Sequence, residues 1–153
     1  LALEVVRHHR LLESFLARAL GMSWDRIHAE AEVLEHHISE ELEDLIDAHL
    51  GFPEFDPHGH PIPRRDGTVP DRAVTPLTIA TIGSTLTVEQ VRDDSPDVLR
   101  YLATHQLDIG AHITLLTLEP IAGIVTVQAG SGDIVVLGMD LASRIDIRED
   151  HQS

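Results

Sequence analysis

Six prolines between residues 53 and 76 divide the chain into two parts with different folding patterns. Proline lacks a backbone N–H and breaks helices, so no long helix can cross this segment. Before it, apolar residues recur at the three- to five-residue spacing of amphipathic helices. After it come short β-branched runs separated by glycine-containing turns. The sequence therefore predicts an α+β multidomain protein, with an all-α domain first and a mostly β domain second.

Three helices are predicted before Gly51. The first ends at Gly21, because glycine is common just after a helix. The second covers about residues 24 to 37 with Ser23 as N-cap, and the third follows an N-cap at Ser39. Three short helices make a thin core, so we expect one face to be buried against a second copy of the chain. The candidates for this homodimer contact, each with packing inside the monomer as the alternative, are Trp24, Ile38, Leu42, Leu45 and Ile46.

The second part is expected to form a small β-barrel interrupted by one helix. That helix has Asp94 or Ser95 as its cap and Pro96 in its first turn. The predicted strands are residues 77–82, 111–118, 123–128, 134–137 and 144–147. The predicted domain boundaries are 1–64 for the helical domain, 65–76 for a proline-rich linker and 77–149 for the barrel.

Composition excludes several classes of partner. The net charge is −15 at pH 7 and all 11 basic residues are arginines, so no broad positive surface attracts nucleic-acid phosphates to this portion. The chain has no cysteine, which rules out disulfides and thiolate metal ligands. No apolar run reaches the length of a membrane span. We expect a cytoplasmic protein without a membrane partner.

Histidine and glutamate recur at helical spacing in the first part of the chain. Residues three and four apart on a helix are neighbours, with Cβ atoms about 5 to 6 Å apart, so such side chains can reach one cation. Carboxylate oxygen and imidazole nitrogen without sulfur suit manganese, iron(II), cobalt, nickel or zinc. We therefore predict a metal centre, the alternative being a solvated acidic face. Its candidate ligands are His9, Glu13, His28, Glu32, Glu35 and His36.

The other histidines are expected to have no metal role. His8 and His37 lie about 100° around their helices from the candidate ligands. The stretch "PHGHPIP" is predicted to be structural, because its prolines fix an extended exit from the helical domain. The remaining histidines lack comparable partners; they are His49, His58, His60, His105, His112 and His151.

Catalysis is disfavoured by the motifs. The His-Glu-x-x-His pattern of metalloproteases and the Glu-x-x-His pairs of di-iron bundles do not occur. A phosphate-binding glycine loop and a Gly-x-Ser-x-Gly elbow are also missing. We predict a protein that is not an enzyme and has no small-molecule substrate.

The stretch "HHRLLESFLARALGMSWDRIHAEAEVLEHHISEELEDLI", followed by "DPHGHPIP", resembles the dimerisation and metal-binding domain of the diphtheria toxin repressor family. This family of metal-dependent transcriptional regulators includes iron-dependent regulators and manganese transport regulators. The later segment resembles the family's SH3-like C-terminal domain, also seen in FeoA-related proteins. The resemblance implies a homodimer, and a winged-helix DNA-binding domain that would precede the first residue of this chain.

The resemblance also implies two metal sites. The primary site corresponds to Glu32, Glu35 and His36, with a further ligand from the winged-helix domain. The ancillary site corresponds to His9, Glu13 and His28, joined by Glu89, and His9 could instead share a binuclear cluster with the primary ligands. Arg92 replaces a glutamine ligand of iron-type members and cannot coordinate a cation, although it can pair with a carboxylate.

Glu32 stands where iron-responsive members have cysteine. A hard carboxylate in place of a soft ligand favours Mn²⁺, with Fe²⁺ as the alternative. The implied function is that of a manganese- or iron-dependent repressor in which metal is the co-repressor and favours operator DNA binding by two winged helices. A metal-storage or metal-chaperone module without a DNA role would explain the ligands equally well. An oxidoreductase with a carboxylate-bridged metal pair is the third alternative.

Overall fold

The structure is a computed structural model that describes residues 2–150. The chain divides into two compact units, Leu1–Arg72 and Ala73–Ser153. The first unit is built from helices and the second around an antiparallel sheet, so the predicted α+β class is confirmed. Within the described residues, no helix is long and apolar enough to cross a membrane.

Three helices make the core of the first unit: α1 (Ala2–Arg18), α2 (Ile27–Leu34) and α3 (Glu40–His49). The predicted cap of α3 is confirmed, because Ser39 Oγ accepts a hydrogen bond from the backbone N–H of Leu42 at 3.1 Å. The apolar stripes of the three helices meet in one buried cluster, and this packing sets the faces that carry the candidate ligands. Its members are Leu12, Leu16, Ile27, Ala31, Ile46 and Leu50.

Helix α2 is shorter than predicted at both ends. Residues 24–26 form a turn in which Arg26 N donates to the Ser23 carbonyl at 2.9 Å, so Ser23 does not cap the helix. Residues 35–37 form a second turn, with His37 N donating to the Leu34 carbonyl at 2.9 Å. Glu35 and the histidine after it therefore stand on a turn beyond the end of α2.

The segment after α3 folds back onto the helices instead of leaving as an extended strand. Asp56 Oδ1 accepts hydrogen bonds from the backbone N–H groups of His58 and His60, both at 2.9 Å, and closes a tight turn. Arg10 on α1 then donates to the Pro61 carbonyl at 2.6 Å. The prediction of an extended exit is wrong, because the aspartate side chain and an arginine of α1 hold this segment against the unit.

The second unit contains one antiparallel sheet of six strands: β1 (Thr75–Pro76), β2 (Thr85–Val91), β3 (His112–Glu119), β4 (Ile124–Gln128), β5 (Ile134–Gly138) and β6 (Ile145–Glu149). Their order in the sheet is β1-β6-β2-β3-β4-β5. Side chains alternate between more buried and more exposed positions along β3, β4 and β5, as expected of a sheet with one core face. Helices α4 (Pro96–Thr104) and α5 (Met139–Ala142) accompany them.

Four of the predicted strands are confirmed as β3, β4, β5 and β6. The strand predicted at residues 77–82 is wrong, since Leu77–Ile79 is a 3₁₀ turn closed by a bond from Ala80 N to the Leu77 carbonyl at 3.2 Å. Strand β2 and the short α5 were not predicted. Helix α4 begins at Pro96 as expected, with Ser95 in the cap position but without a capping side-chain bond.

Candidate metal centre

Three predicted ligands converge between α1 and α2. His9 and Glu13 lie one turn apart on α1, and His28 comes from the first turn of α2. His9 Nε2 is 3.1 Å from His28 Nδ1 and 3.3 Å from Glu13 Oε1. One ligand atom from each of the three lies within 4.8 Å of the other two. Two nitrogens and a carboxylate oxygen are thus gathered where one divalent cation can touch all three.

Glu13 is the most buried member of this cluster, with 2% of its surface exposed. Its Oε2 lies 3.2 Å from His58 Nδ1, which is ion-pair distance. Among the described residues, no contact of Oε2 has the geometry of a hydrogen bond. A buried carboxylate oxygen without a donor is unfavourable. A cation bound beside it would satisfy this oxygen, so the residues present fit a divalent metal.

The electrostatics of the cluster show how tightly the charges are paired. Burial alone would raise the pKa of Glu13, but His58 and His9 outweigh it and hold that pKa well below its ordinary value. Burial likewise opposes the charged form of His9, yet Glu13 and Glu35 raise its pKa above the ordinary value. The carboxylates thus favour protonation of these imidazoles, and a metal ion that binds the same nitrogens would compete with the protons.

The predicted primary ligands are more spread out. Glu35 Oε2 is 2.6 Å from His9 Nδ1, and Glu35 Oε1 is 3.4 Å from His36 Nε2. Glu32 Oε1 lies 3.6 Å from His28 Nε2. The side chains of Glu32 and His36 are 63% and 62% exposed. Within residues 2–150, the clusters of three ligand atoms lying within 4.8 Å of one another do not contain this set.

Glu89 belongs to the second unit and occupies an irregular position in its sheet. The register of β2 against β6 shifts between Val88 and Gln90, which leaves Glu89 as the extra residue of a β-bulge. Arg148 on β6 donates from Nε to Glu89 Oε1 at 3.1 Å. Its role as a fourth ancillary ligand stays a prediction.

Arg92, which stands where iron-type members of the family have a glutamine ligand, pairs with a carboxylate. Its Nε and Nη2 donate to the two carboxylate oxygens of Asp146 at 2.9 and 3.1 Å, and Nη2 also donates to the Ser143 carbonyl. This two-pronged contact fixes the chain after β2 to β6. The arginine therefore has a structural partner inside the sheet unit.

His58 was expected to have no partners comparable to those of the candidate ligands, and the structure does bring such partners to it. The side chain is buried, its Nε2 donates to the Trp24 carbonyl at 2.7 Å, and its Nδ1 faces Glu13. It also belongs to a second cluster of possible ligand atoms, together with Asp56 and His60. The alternation Asp-x-His-x-His was the available signal in the sequence. His151 lies outside the described residues.

The predicted dimer residues differ in exposure. Ile46 is buried in the core cluster of its own unit, so it has little surface left for a partner chain. Leu42 and Leu45, by contrast, are 46% and 61% exposed on α3. Trp24 and Ile38 are half-buried, and Ile38 packs against the core cluster. The exposed leucines are the residues of this set that a second copy could cover.

Comparisons with known proteins match the two parts of the chain to two different families of domains. Residues 1–64 match the family described as "Iron dependent repressor, metal binding and dimerisation domain", and residues 75–149 match the FeoA domain. The chain is 33% identical over 148 residues to the iron-dependent repressor IdeR of Mycobacterium tuberculosis (strain ATCC 25618 / H37Rv), covering 90% of this chain and 61% of that protein. It therefore spans about three fifths of the length of that curated relative.

Solved structures give the same result. A manganese-dependent transcriptional repressor in complex with manganese is 43% identical, with a TM-score of 0.91, and the match covers 97% of this chain and 70% of that one. The manganese regulator SloR is 33% identical with a TM-score of 0.84, covering 97% and 68%.

The helical unit thus matches a metal-binding and dimerisation domain, and the sheet unit matches a FeoA domain. The chain belongs to the diphtheria toxin repressor family.

Proposed function

We propose that this chain is the metal-sensing and dimerisation portion of a metal-dependent transcriptional repressor. The observation that carries the proposal is the convergence of His9, His28 and the buried, incompletely satisfied carboxylate of Glu13 at the contact between α1 and α2. Metal bound there links two helices directly, so its binding free energy adds to the stability of the unit. The names of the relatives, an iron-dependent repressor and a manganese-dependent repressor, support the same function.

Mn²⁺ is the metal we propose, with Fe²⁺ as the alternative. The donor set contains only imidazole nitrogen and carboxylate oxygen, because the chain has no cysteine. Glu32 offers a hard oxygen close to His28. Hard oxygen ligands suit Mn²⁺, although affinity alone favours later metals of the series, so coordination geometry and metal supply must provide selectivity.

The repressor acts, in this proposal, through two copies of the chain. Leu42 and Leu45 supply exposed apolar surface on α3 for a homodimer. Operator DNA is bound by winged-helix domains outside this chain, because the net charge of −15 gives this portion no attraction for phosphates. Since operators are chromosomal, the protein works in the cytoplasm. Metal acts as co-repressor by favouring the arrangement of two DNA-binding domains that fits a two-fold operator.

Calorimetric titration of the chain with Mn²⁺, Fe²⁺ under anaerobic conditions, and Zn²⁺ tests the proposal. The variant Glu32→Ala, Glu35→Ala should take up less metal than the wild type. The matched control is Glu30→Ala, Glu41→Ala, which removes two exposed charges from the same acidic region and should bind like the wild type. Equal Mn²⁺ uptake by the Glu32, Glu35 variant would remove the primary-site assignment.

A further inference from the structure

His8 joins two parts of the helical unit that the sequence keeps apart. It precedes His9 on α1, and its ring lies between α3 and the turn that follows α2. Nδ1 lies at hydrogen-bond distance, 3.2 Å, from the main-chain carbonyl oxygen of Glu35, and Nε2 lies 2.9 Å from Glu43 Oε2. One ring thus connects a buried carboxylate of α3 to the backbone of a predicted metal ligand.

The carboxylate that anchors His8 is itself firmly held. Glu43 is buried, and Arg7 donates from Nε to its Oε1 at 2.5 Å. Arg7 also donates to the Pro63 carbonyl at 2.9 Å and to Asp47 Oδ2 at 3.0 Å. Buried charges persist only when partners compensate their lost hydration, so these bonds fix the carboxylate in one position. His8 is therefore attached to a rigid point.

The backbone that His8 holds at its other end is less constrained. Helix α2 ends at Leu34, and residues 35–37 form a turn. Carbonyls at the C-terminal end of a helix have no partner within the helix and need an outside donor. His8 supplies one to the turn that carries Glu35 and His36. Because the His36 side chain is mostly exposed, side-chain packing does little to fix its direction.

We propose that His8 is a positioning residue for the primary metal site. By tying the Glu35 carbonyl to Glu43, it fixes the turn from which Glu35 and His36 project toward a shared cation. The inference rests on the proposed function and adds a residue that acts through the ligands. Groups that orient metal ligands typically change metal affinity by 10- to 100-fold when removed. We expect His8→Leu to weaken Mn²⁺ binding by about 10-fold.

The decisive experiment places His8→Leu in two backgrounds of this chain, the wild type and Glu32→Ala, Glu35→Ala, and titrates each protein with Mn²⁺ in a calorimeter. The affinity loss should appear in the wild-type background and vanish where the primary ligands are gone. The same loss in both backgrounds would overturn the proposal, because a general loosening of the fold affects every site. An unchanged affinity in the wild-type background would also overturn it.

A matched control separates positioning from stability. Ser39→Ala removes the capping hydrogen bond of α3 but leaves the contacts of His8 with Glu35 and Glu43 in place. At comparable unfolding temperatures, Ser39→Ala should bind Mn²⁺ like the wild type, and a loss equal to that of His8→Leu would assign the effect to stability alone. If His8→Leu fails to fold, His8→Gln is tested in its place, because the glutamine amide keeps a donor toward Glu43. A wrong assignment of the primary site would be seen separately, because the variant Glu32→Ala, Glu35→Ala would then bind Mn²⁺ like the wild type.

Discussion

Replacing the Glu13 carboxylate by an amide should abolish most of the stabilisation that Mn²⁺ gives to the helical unit. Glu13→Gln keeps the size of the side chain but removes the negative charge that faces His9 and His28. The test is cleanest in a chain that also lacks Glu32 and Glu35, because only the ancillary ligands then contribute. The buried Oε2, which accepts no hydrogen bond from a described residue, is the position where a cation gains most.

The size of the effect follows from linkage. Free Mn²⁺ at about 100 times its Kd stabilises the folded state by about 2.7 kcal/mol. The unfolding entropy of a unit of roughly 70 residues is about 0.15 kcal/mol/K, so this stabilisation raises Tm by about 18 °C. If the amide weakens binding about 100-fold, the same Mn²⁺ concentration leaves about 0.4 kcal/mol. The expected shift in the variant is then only about 3 °C.

Differential scanning calorimetry with and without Mn²⁺ measures both shifts. Each protein is compared with its own metal-free form, so any change in basal stability from the substitution cancels. Glu30→Gln is the control, because it removes the same charge from an exposed position on α2 and should retain the full shift. A Glu13→Gln chain that keeps the shift of its parent would refute the assignment of Glu13 as a ligand.

Three further predictions concern protons, assembly and the sheet. Glu13 raises the pKa values of His9 and His58 against the effect of burial, so their contribution to stability is complete below the ordinary histidine pKa and is lost as pH rises through the raised values. Urea unfolding of the metal-free chain should show higher stability at pH 6 than at pH 8.5, and equal stability would contradict the charge pairing. Under the proposed homodimer, Leu45→Arg should convert dimer to monomer in analytical ultracentrifugation, whereas Ile79→Arg, at a similarly exposed apolar site in the second unit, should not. Arg92→Gln should lower the free energy of unfolding of the sheet unit by about 1 kcal/mol in chemical denaturation. The effect is modest because the partner of Arg92, Asp146, is buried but the guanidinium is partly exposed. An unchanged free energy of unfolding would mean that this ion pair contributes little.

Local signals predicted most of the helical fold. The apolar periodicity and the proline segment located the three helices and the change to strands, and Ser39 identified the start of α3 because an N-cap bond spans only three residues. The ends of α2 were mispredicted since nonlocal contacts determine them. The Trp24 carbonyl accepts a hydrogen bond from His58, and the Glu35 carbonyl oxygen lies 3.2 Å from His8 Nδ1; both histidines come from other segments of the chain. Neither contact has a signature in the residues next to it.

The candidate site likewise combines residues that local spacing could pair and residues that only the fold brings together. His9 and Glu13 could be paired from their spacing alone, because four residues on one helix place two side chains side by side. His28 joins them only through the packing of α2 on α1. His58 escaped prediction because its contact with Glu13 depends on the fold of the segment after α3, where the prolines pointed to an extended chain.

The two groups of ligands differ in a way that bears on how a metal switch could work. The set around Glu13, in which the glutamate is buried and the two histidines are partly buried, is already gathered within the helical unit, so binding there needs little rearrangement. Glu32 and His36 are exposed and do not belong to a gathered cluster of ligand atoms among the described residues, so a cation that binds both must draw them together. A site completed from outside couples metal binding to the docking of whatever supplies the missing ligand, whereas a preformed site mainly stabilises its own unit. Under the proposed function, metal binding at Glu32 and His36 would therefore be coupled to the rest of the repressor. Metal binding at the set around Glu13 would mainly stabilise the packing of α1 against α2.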